Sequence, residues 1–247
     1  MSLDHDQIQQ LAHKAVKRFW TTRTIQARSQ KVRGSRDQGT RGAVTGGAQM
    51  DGFVTLVAEL VRSTGLEEAS LYTRKSLELP GFFRPTKKWD VLVVSGGRLI
   101  AVIETKSQVG SFGNNLNNRT EEAIGSAVDL WTAYREGVFQ RSTRPWLGYL
   151  FLLEDSRESQ APISVREPHF RVFEEFHDAS YALRYELLLR KLVRERHYEA
   201  AALIVSNKAS GRKGVYSEPA EDLGLISFAR SLVAHVSAFV ALPIGRD

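Results

Sequence analysis

An α/β fold with a mixed central sheet flanked by helices is predicted by three observations: helix-periodic segments at both ends, short apolar runs bounded by turn signals in the middle, and helical patterns interleaved with the later runs. The chain has 247 residues, 42% hydrophobic and 25% charged, which matches globular usage and excludes a mainly disordered or fibrous protein. With no internal repeat and seven scattered prolines, residues 1–247 read as a single domain. The absence of cysteine excludes disulfides, thiolate zinc sites and Cys nucleophiles, and it suits a cytoplasmic location. The first ten residues are polar and acidic, unlike a secretory signal. The longest apolar stretch, 223–242, is interrupted by Arg230, His235 and serines, so no membrane contact is expected.

Taken in order, Ile8, Leu11, Ala12, Ala15, Val16, Phe19 and Trp20 recur at helical spacing and predict an amphipathic first helix with a basic polar side. From Lys14 to Met50 nine bases face a single acid, Asp37, and the Gly-rich part of that stretch, near 34–48, is expected to be a mobile loop. Asp51 can cap a second helix carrying Phe53, Val57, Leu60 and Val61, ending near Gly65. Strands are expected at 70–74, 89–94 and 99–105, the last two joined across Ser95-Gly96-Gly97. A helix over 120–135 buries Ala123, Ile124, Ala127, Leu130 and Trp131, and 146–153 is apolar enough for a central strand. A basic helix over 181–196, a short strand over 201–205 and a final helix over 225–240 complete the order. His235 in that last helix reads as a packed histidine, and the six histidines show no ligand spacing.

No phosphate-binding Gly-rich loop, zinc-protease motif or nucleophile elbow is present. What remains is Asp90 with Glu104 and Lys106. Alternation along a strand puts Glu104 and Lys106 on one face at a strand end. Asp90 joins that face only if the hairpin has an even pairing sum, for example Val94 opposite Arg98 with Asp90 opposite Val102. A strict two-residue turn sends Asp90 to the other face, so a catalytic reading demands a three-residue turn or a bulge. Two carboxylates and an ammonium suit phosphodiester hydrolysis with Mg²⁺, which takes hard oxygen ligands: Asp90, Glu104 and the backbone carbonyl of Thr105, with Glu59 as an outer acid or the site of a second ion. Lys106 can orient the attacking water and offset growing phosphate charge. Such a pattern also occurs as a solvated strand face, but both strands here are otherwise apolar, and Pro85-Thr86-Lys87-Lys88 adds basic charge beside Asp90.

Asn114, Asn115, Asn117, Asn118 and Arg119 form a loop-like segment ahead of a helix. Asn reads adenine and Arg reads guanine in the major groove, while a turn with Asn caps is the structural alternative. Lys87, Lys88, Arg33, Arg36 and Arg41 are candidate DNA contacts.

Three strings resemble the XhoI family of type II restriction endonucleases: 46–53 (GGAQMDGF), 79–90 (LPGFFRPTKKWD), and Glu104-Thr105-Lys106-Ser107 running into GNNLNNRTEEAIG at 113–125. The similarity continues through Pro168-His169-Phe170 and Ser180-Tyr181 to Lys191, covering about 40–195. The resemblance implies a restriction-endonuclease-like core, Asp90, Glu104 and Lys106 as the catalytic residues, Mg²⁺, a homodimer, and cutting of the palindrome CTCGAG after its first base to leave TCGA 5′ overhangs. It also implies a restriction-modification system with a methyltransferase counterpart that need not touch this chain. Two other readings compete: a non-catalytic basic DNA-binding protein in which the acids pair with Lys87 or Lys88, and a structure-selective repair nuclease. The net charge of +6 suits all three, because each binds phosphates.

Overall fold

The computed structural model describes residues 3–33 and 48–241, without the side chains of 27–33. The expected mobile loop therefore lies outside the described residues up to Gly47, and Ala48 opens a short 3₁₀ turn. Five long helices are α1 (His5–Arg33), α2 (Asp51–Arg62), α3 (Phe112–Arg135), α4 (Tyr181–Arg194) and α5 (Leu225–Ala241). Among the described residues the seven strands are β1 (Leu71–Tyr72), β2 (Glu78–Pro80), β3 (Thr86–Lys88), β4 (Val91–Ser95), β5 (Arg98–Gln108), β6 (Trp146–Glu154) and β7 (Ala200–Ser206). The central sheet has the order β1-β4-β5-β6-β7. Its β1–β4 and β4–β5 pairs are antiparallel and its β5–β6 and β6–β7 pairs parallel, so the sheet is mixed. The strands β2 and β3 form a separate small hairpin.

Alternation of apolar side chains divides the core into two layers. Val91, Val93, Ala101 and Ile103 pack with α1, α2 and α5, whereas Leu92, Val102, Tyr149 and Phe151 pack with α3 and α4. Both faces of β6 are covered, which explains its continuous apolar run. Among the described residues no helix is long and apolar enough to cross a membrane.

Several elements differ from expectation. The first helix runs on to Arg33, well past the Ile8 to Trp20 periodicity that predicts it, and the helix expected at 120 begins at Phe112. The Asn-rich segment is therefore helix, not loop. Ser111, with φ 47°, turns the chain out of β5, and Phe112 is buried and stacked on Tyr181 at 5.7 Å, which anchors the extra turns. Ile124 is 38% exposed rather than buried, because Ala123 and Ala127 take the core-facing positions. Asp51 makes no cap. Met50 holds the N-cap position, and the Asp51 carboxylate instead accepts from Arg18 Nη2 at 2.9 Å. The β2–β3 hairpin was not expected, since its strands have three residues each and are largely polar.

Candidate active site

The turn between β4 and β5 contains two residues, Gly96 and Gly97, with φ 56° and 71°, a conformation glycine adopts without steric cost. Ser95 pairs with Arg98 and Val94 with Leu99, a register that alone would send Asp90 to the wrong face. A bulge corrects it: the register shifts between Val93 and Val94, Val93 pairs with Ala101, and Ile100 is the extra residue on β5. Val91 then pairs with Ile103, and Asp90 N–H donates to the Ile103 carbonyl at 3.2 Å, so Asp90 stands across from Glu104 rather than Val102. Of the two devices that the catalytic reading allowed, a three-residue turn or a bulge, the bulge is the one present.

Glu104 is 3% exposed, and its Oε1 lies 2.9 Å from both Lys106 Nζ and Lys87 Nζ. Its Oε2 is buried without a hydrogen-bond partner. Burial pushes the Glu104 carboxyl up, but the adjacent Lys106 and Lys87 ammoniums outweigh this and hold it below the ordinary range. Burial likewise disfavours the Lys106 ammonium, yet Glu104 beside it raises the group overall. Asp90 Oδ2 accepts from Thr105 N–H at 2.7 Å and Thr105 Oγ1 at 3.0 Å. Among the described residues its Oδ1 accepts no hydrogen bond, so one oxygen of each acid remains available. That fits Mg²⁺, which favours carboxylate oxygens and keeps several waters. Among the described residues no three His, Asp or Glu side chains gather as a metal cluster, so a metal here would rest on two acids. Glu59 does not join them: it accepts from Arg62 Nη1 at 2.9 Å and does not line the cleft.

Asp90 opens on a cleft of about 760 Å³ whose lining also includes Thr105 and Lys106 with the cations Arg23, Arg74, Lys88 and Arg119, while Glu104 lies buried beside it. A smaller cavity of about 440 Å³ shares Arg74 and Asp51 with it. Of the Asn-rich segment, Asn115 and Arg119, one helical turn apart, line the cleft. Asn114, Asn117 and Asn118 are exposed and do not line it. Arg36, Arg41 and the side chain of Arg33 lie outside the described residues.

Sequence reasoning offered Lys87 as a DNA contact and, in the non-catalytic reading, as a partner of the acids; it is 13% exposed, pairs with Glu104 and sits 4.3 Å over the Trp89 ring. It also missed Asp129, which organises the approach to β3. The carboxylate of Asp129 accepts from Phe82 N–H and Phe83 N–H at 2.8 Å and from Arg84 Nε at 2.6 Å. Gly81 lies against that carboxylate, where any Cβ would collide. Behind Glu104, Tyr149 stands opposite it in the β5–β6 register. The Tyr149 and Tyr185 hydroxyls are buried and unpartnered, and burial pushes both upward, so both stay neutral. A buried carboxylate oxygen or tyrosine hydroxyl with no partner is a signal that only the folded structure reveals.

The model of the restriction endonuclease XhoI family matches residues 29–218. This chain belongs to that family. Type II restriction enzyme BstVI of Geobacillus stearothermophilus is 51% identical over 218 residues, spanning 86% of this chain and 97% of the relative. Type II restriction enzyme XhoI of Xanthomonas vasicola is 46% identical over 196 residues, 78% of each chain, and type II restriction enzyme AbrI of Azospirillum brasilense is 49% identical over 173, covering 69% of this chain and 78% of its own. No solved structure matches significantly. The α/β sheet with its flanking helices is accordingly the core of a restriction endonuclease.

Proposed function

We propose that this restriction endonuclease cuts double-stranded DNA within the palindrome CTCGAG after the first C, leaving TCGA 5′ overhangs, as a Mg²⁺-dependent homodimer. The observation that carries the reaction is the meeting of Asp90, Glu104 and Lys106 on one face of the sheet, with a buried unpartnered Glu104 oxygen beside a basic cleft. Asp90 and Glu104, with the Thr105 carbonyl, would hold the ion. When bound there, Mg²⁺ would supply Lewis-acid chemistry that polarises the phosphate and acidifies the attacking water. Lys106 orients that water and offsets charge growing on the phosphate, an effect strengthened by its partial burial. Arg23, Arg74 and Lys88 present positive charge to the backbone, and Arg119 stands with Asn115 where it can meet a base. A cognate methyltransferase protecting the same site is the functional counterpart.

A non-catalytic DNA-binding protein would also show the Lys87–Glu104 pair. It leaves the second lysine and the orphaned oxygen without a purpose, because one ammonium satisfies a structural ion pair. The test is digestion of a plasmid of known sequence with Mg²⁺, followed by sequencing of the ends. Ends at CTCGAG with TCGA overhangs are expected. Intact plasmid overturns the reaction, and ends at another sequence overturn the assigned site.

A further inference from the structure

We infer that Lys87 is a positioning residue that serves as an internal counter-ion of the metal site, holding Glu104 in the DNA-free enzyme and weakening divalent-ion binding there until DNA is present. The inference rests on the Mg²⁺ reading above. Lys106 belongs to the Glu-x-Lys strand, whereas Lys87 reaches the same Glu104 Oε1 from another hairpin, also at 2.9 Å. Its position is built rather than incidental. The Asp129 carboxylate pins Phe82, Phe83 and Arg84, which closes the turn of the β2–β3 hairpin. That turn sets the path of β3, and the Trp89 ring 4.3 Å from Lys87 Nζ supports the ammonium from its other side.

Two consequences follow from the charges. With both lysines, the Asp90, Glu104, Lys87 and Lys106 group is formally neutral, so it attracts a cation less than an unguarded acid pair would. With both lysines on Oε1, the free Oε2 is left as the oxygen able to take an ion. Removing the Lys87 charge leaves Glu104 still paired to Lys106 and makes the group net negative. A phosphate of bound DNA adds negative charge in the same place, which is how DNA relieves the opposition.

The test titrates DNA-free protein with Tb³⁺ and follows its emission sensitised through Trp89, the neighbour of Asp90. Lys87→Met and Lys87→Gln are expected to bind Tb³⁺ about tenfold more tightly than wild type. Lys87→Arg, which keeps the charge, is expected to stay within about twofold of wild type. Asp90→Asn serves as the control that emission reports this site. Neutral variants that bind Tb³⁺ as wild type does, or more weakly, overturn the inference while leaving the metal site standing. Loss of near-UV circular dichroism in both neutral variants but not in Lys87→Arg also overturns it, since Lys87 would then serve stability. If neither wild type nor any Lys87 variant binds Tb³⁺, the metal reading falls and takes the inference with it.

Discussion

A carboxylate as buried as Glu104 keeps its charge only because two ammonium groups lie 2.9 Å from one of its oxygens. Glu104→Gln preserves shape and removes the charge that would face the ion, and Lys106→Ala leaves Glu104 paired to Lys87. Each is expected to abolish cleavage while specific binding to the duplex stays within about tenfold, because these groups act mainly in the transition state. Cleavage assays on plasmid and gel-shift titrations separate the two effects, and retained cleavage by both variants rejects the site. Asp129 allows a different check. Burial pushes its carboxyl up, but Arg84 Nε and the Phe83 and Phe82 N–H groups outweigh this and hold it below the ordinary aspartate value. A depressed carboxylate contributes stability above its unfolded pKa, about 4, and loses it as pH falls through the folded value. Asp129→Asn is expected to cost about 1–3 kcal/mol at neutral pH and to soften the acid limb of the stability curve below about pH 4. Urea titrations of both proteins from pH 3 to 7 measure this.

Helix α3 shows which part of an element sequence reasoning could reach. Its C-terminal half was readable because Ala123, Ala127, Leu130 and Trp131 repeat at helical spacing. Its first turns were not, because four asparagines resemble a turn and the anchor is a tertiary stack of Phe112 on Tyr181. The β4–β5 hairpin was readable as far as a choice between a three-residue turn and a bulge, but not to the two-residue turn with Ile100 as the bulged residue, since apolar residues fill both faces there. Helical placement sharpens the question of base readout. Arg119 and Asn115 line the cleft, and Asn117 points away from it onto the exposed side. Arg119→Ala is expected to lose about 1–3 kcal/mol of discrimination at one base pair. Asn117→Ala is expected to leave affinity within about twofold, since it removes an exposed side chain outside the cleft. Binding titrations against the cognate duplex and every single-base variant decide between readout and bracing. Equal weakening by Arg119→Ala on all duplexes assigns Arg119 to the backbone instead.

At the scale of the whole molecule, the described residues hold one set of these acids beside the larger cleft, whereas a palindrome carries two scissile phosphates related by a two-fold axis. On the proposed site CTCGAG, one subunit would read a half-site with Arg or Lys for its guanines and Asn or Gln for its adenine. A single chain would have to release, turn and rebind to cut the second strand, while a two-fold pair presents both active sites to one DNA segment. A homodimer is therefore expected by sedimentation equilibrium, and a protein that stays monomeric in solution and on a single-site duplex contradicts it. The same geometry sets the salt dependence. Arg74 and Lys88 line the cleft without an ion-pair partner among the described residues, so each is free to meet phosphate. In a dimer each substitution is made twice. Arg74→Ala or Lys88→Ala is then expected to flatten the slope of log affinity against log salt by about two units, against about one in a monomer, because roughly 0.9 counterion is released per phosphate contact. Fluorescence-anisotropy titrations between low and moderate salt give the slope directly. A change near two together with a dimeric mass supports two equivalent clefts on one duplex, and an unchanged slope for both variants moves the DNA path away from this cleft.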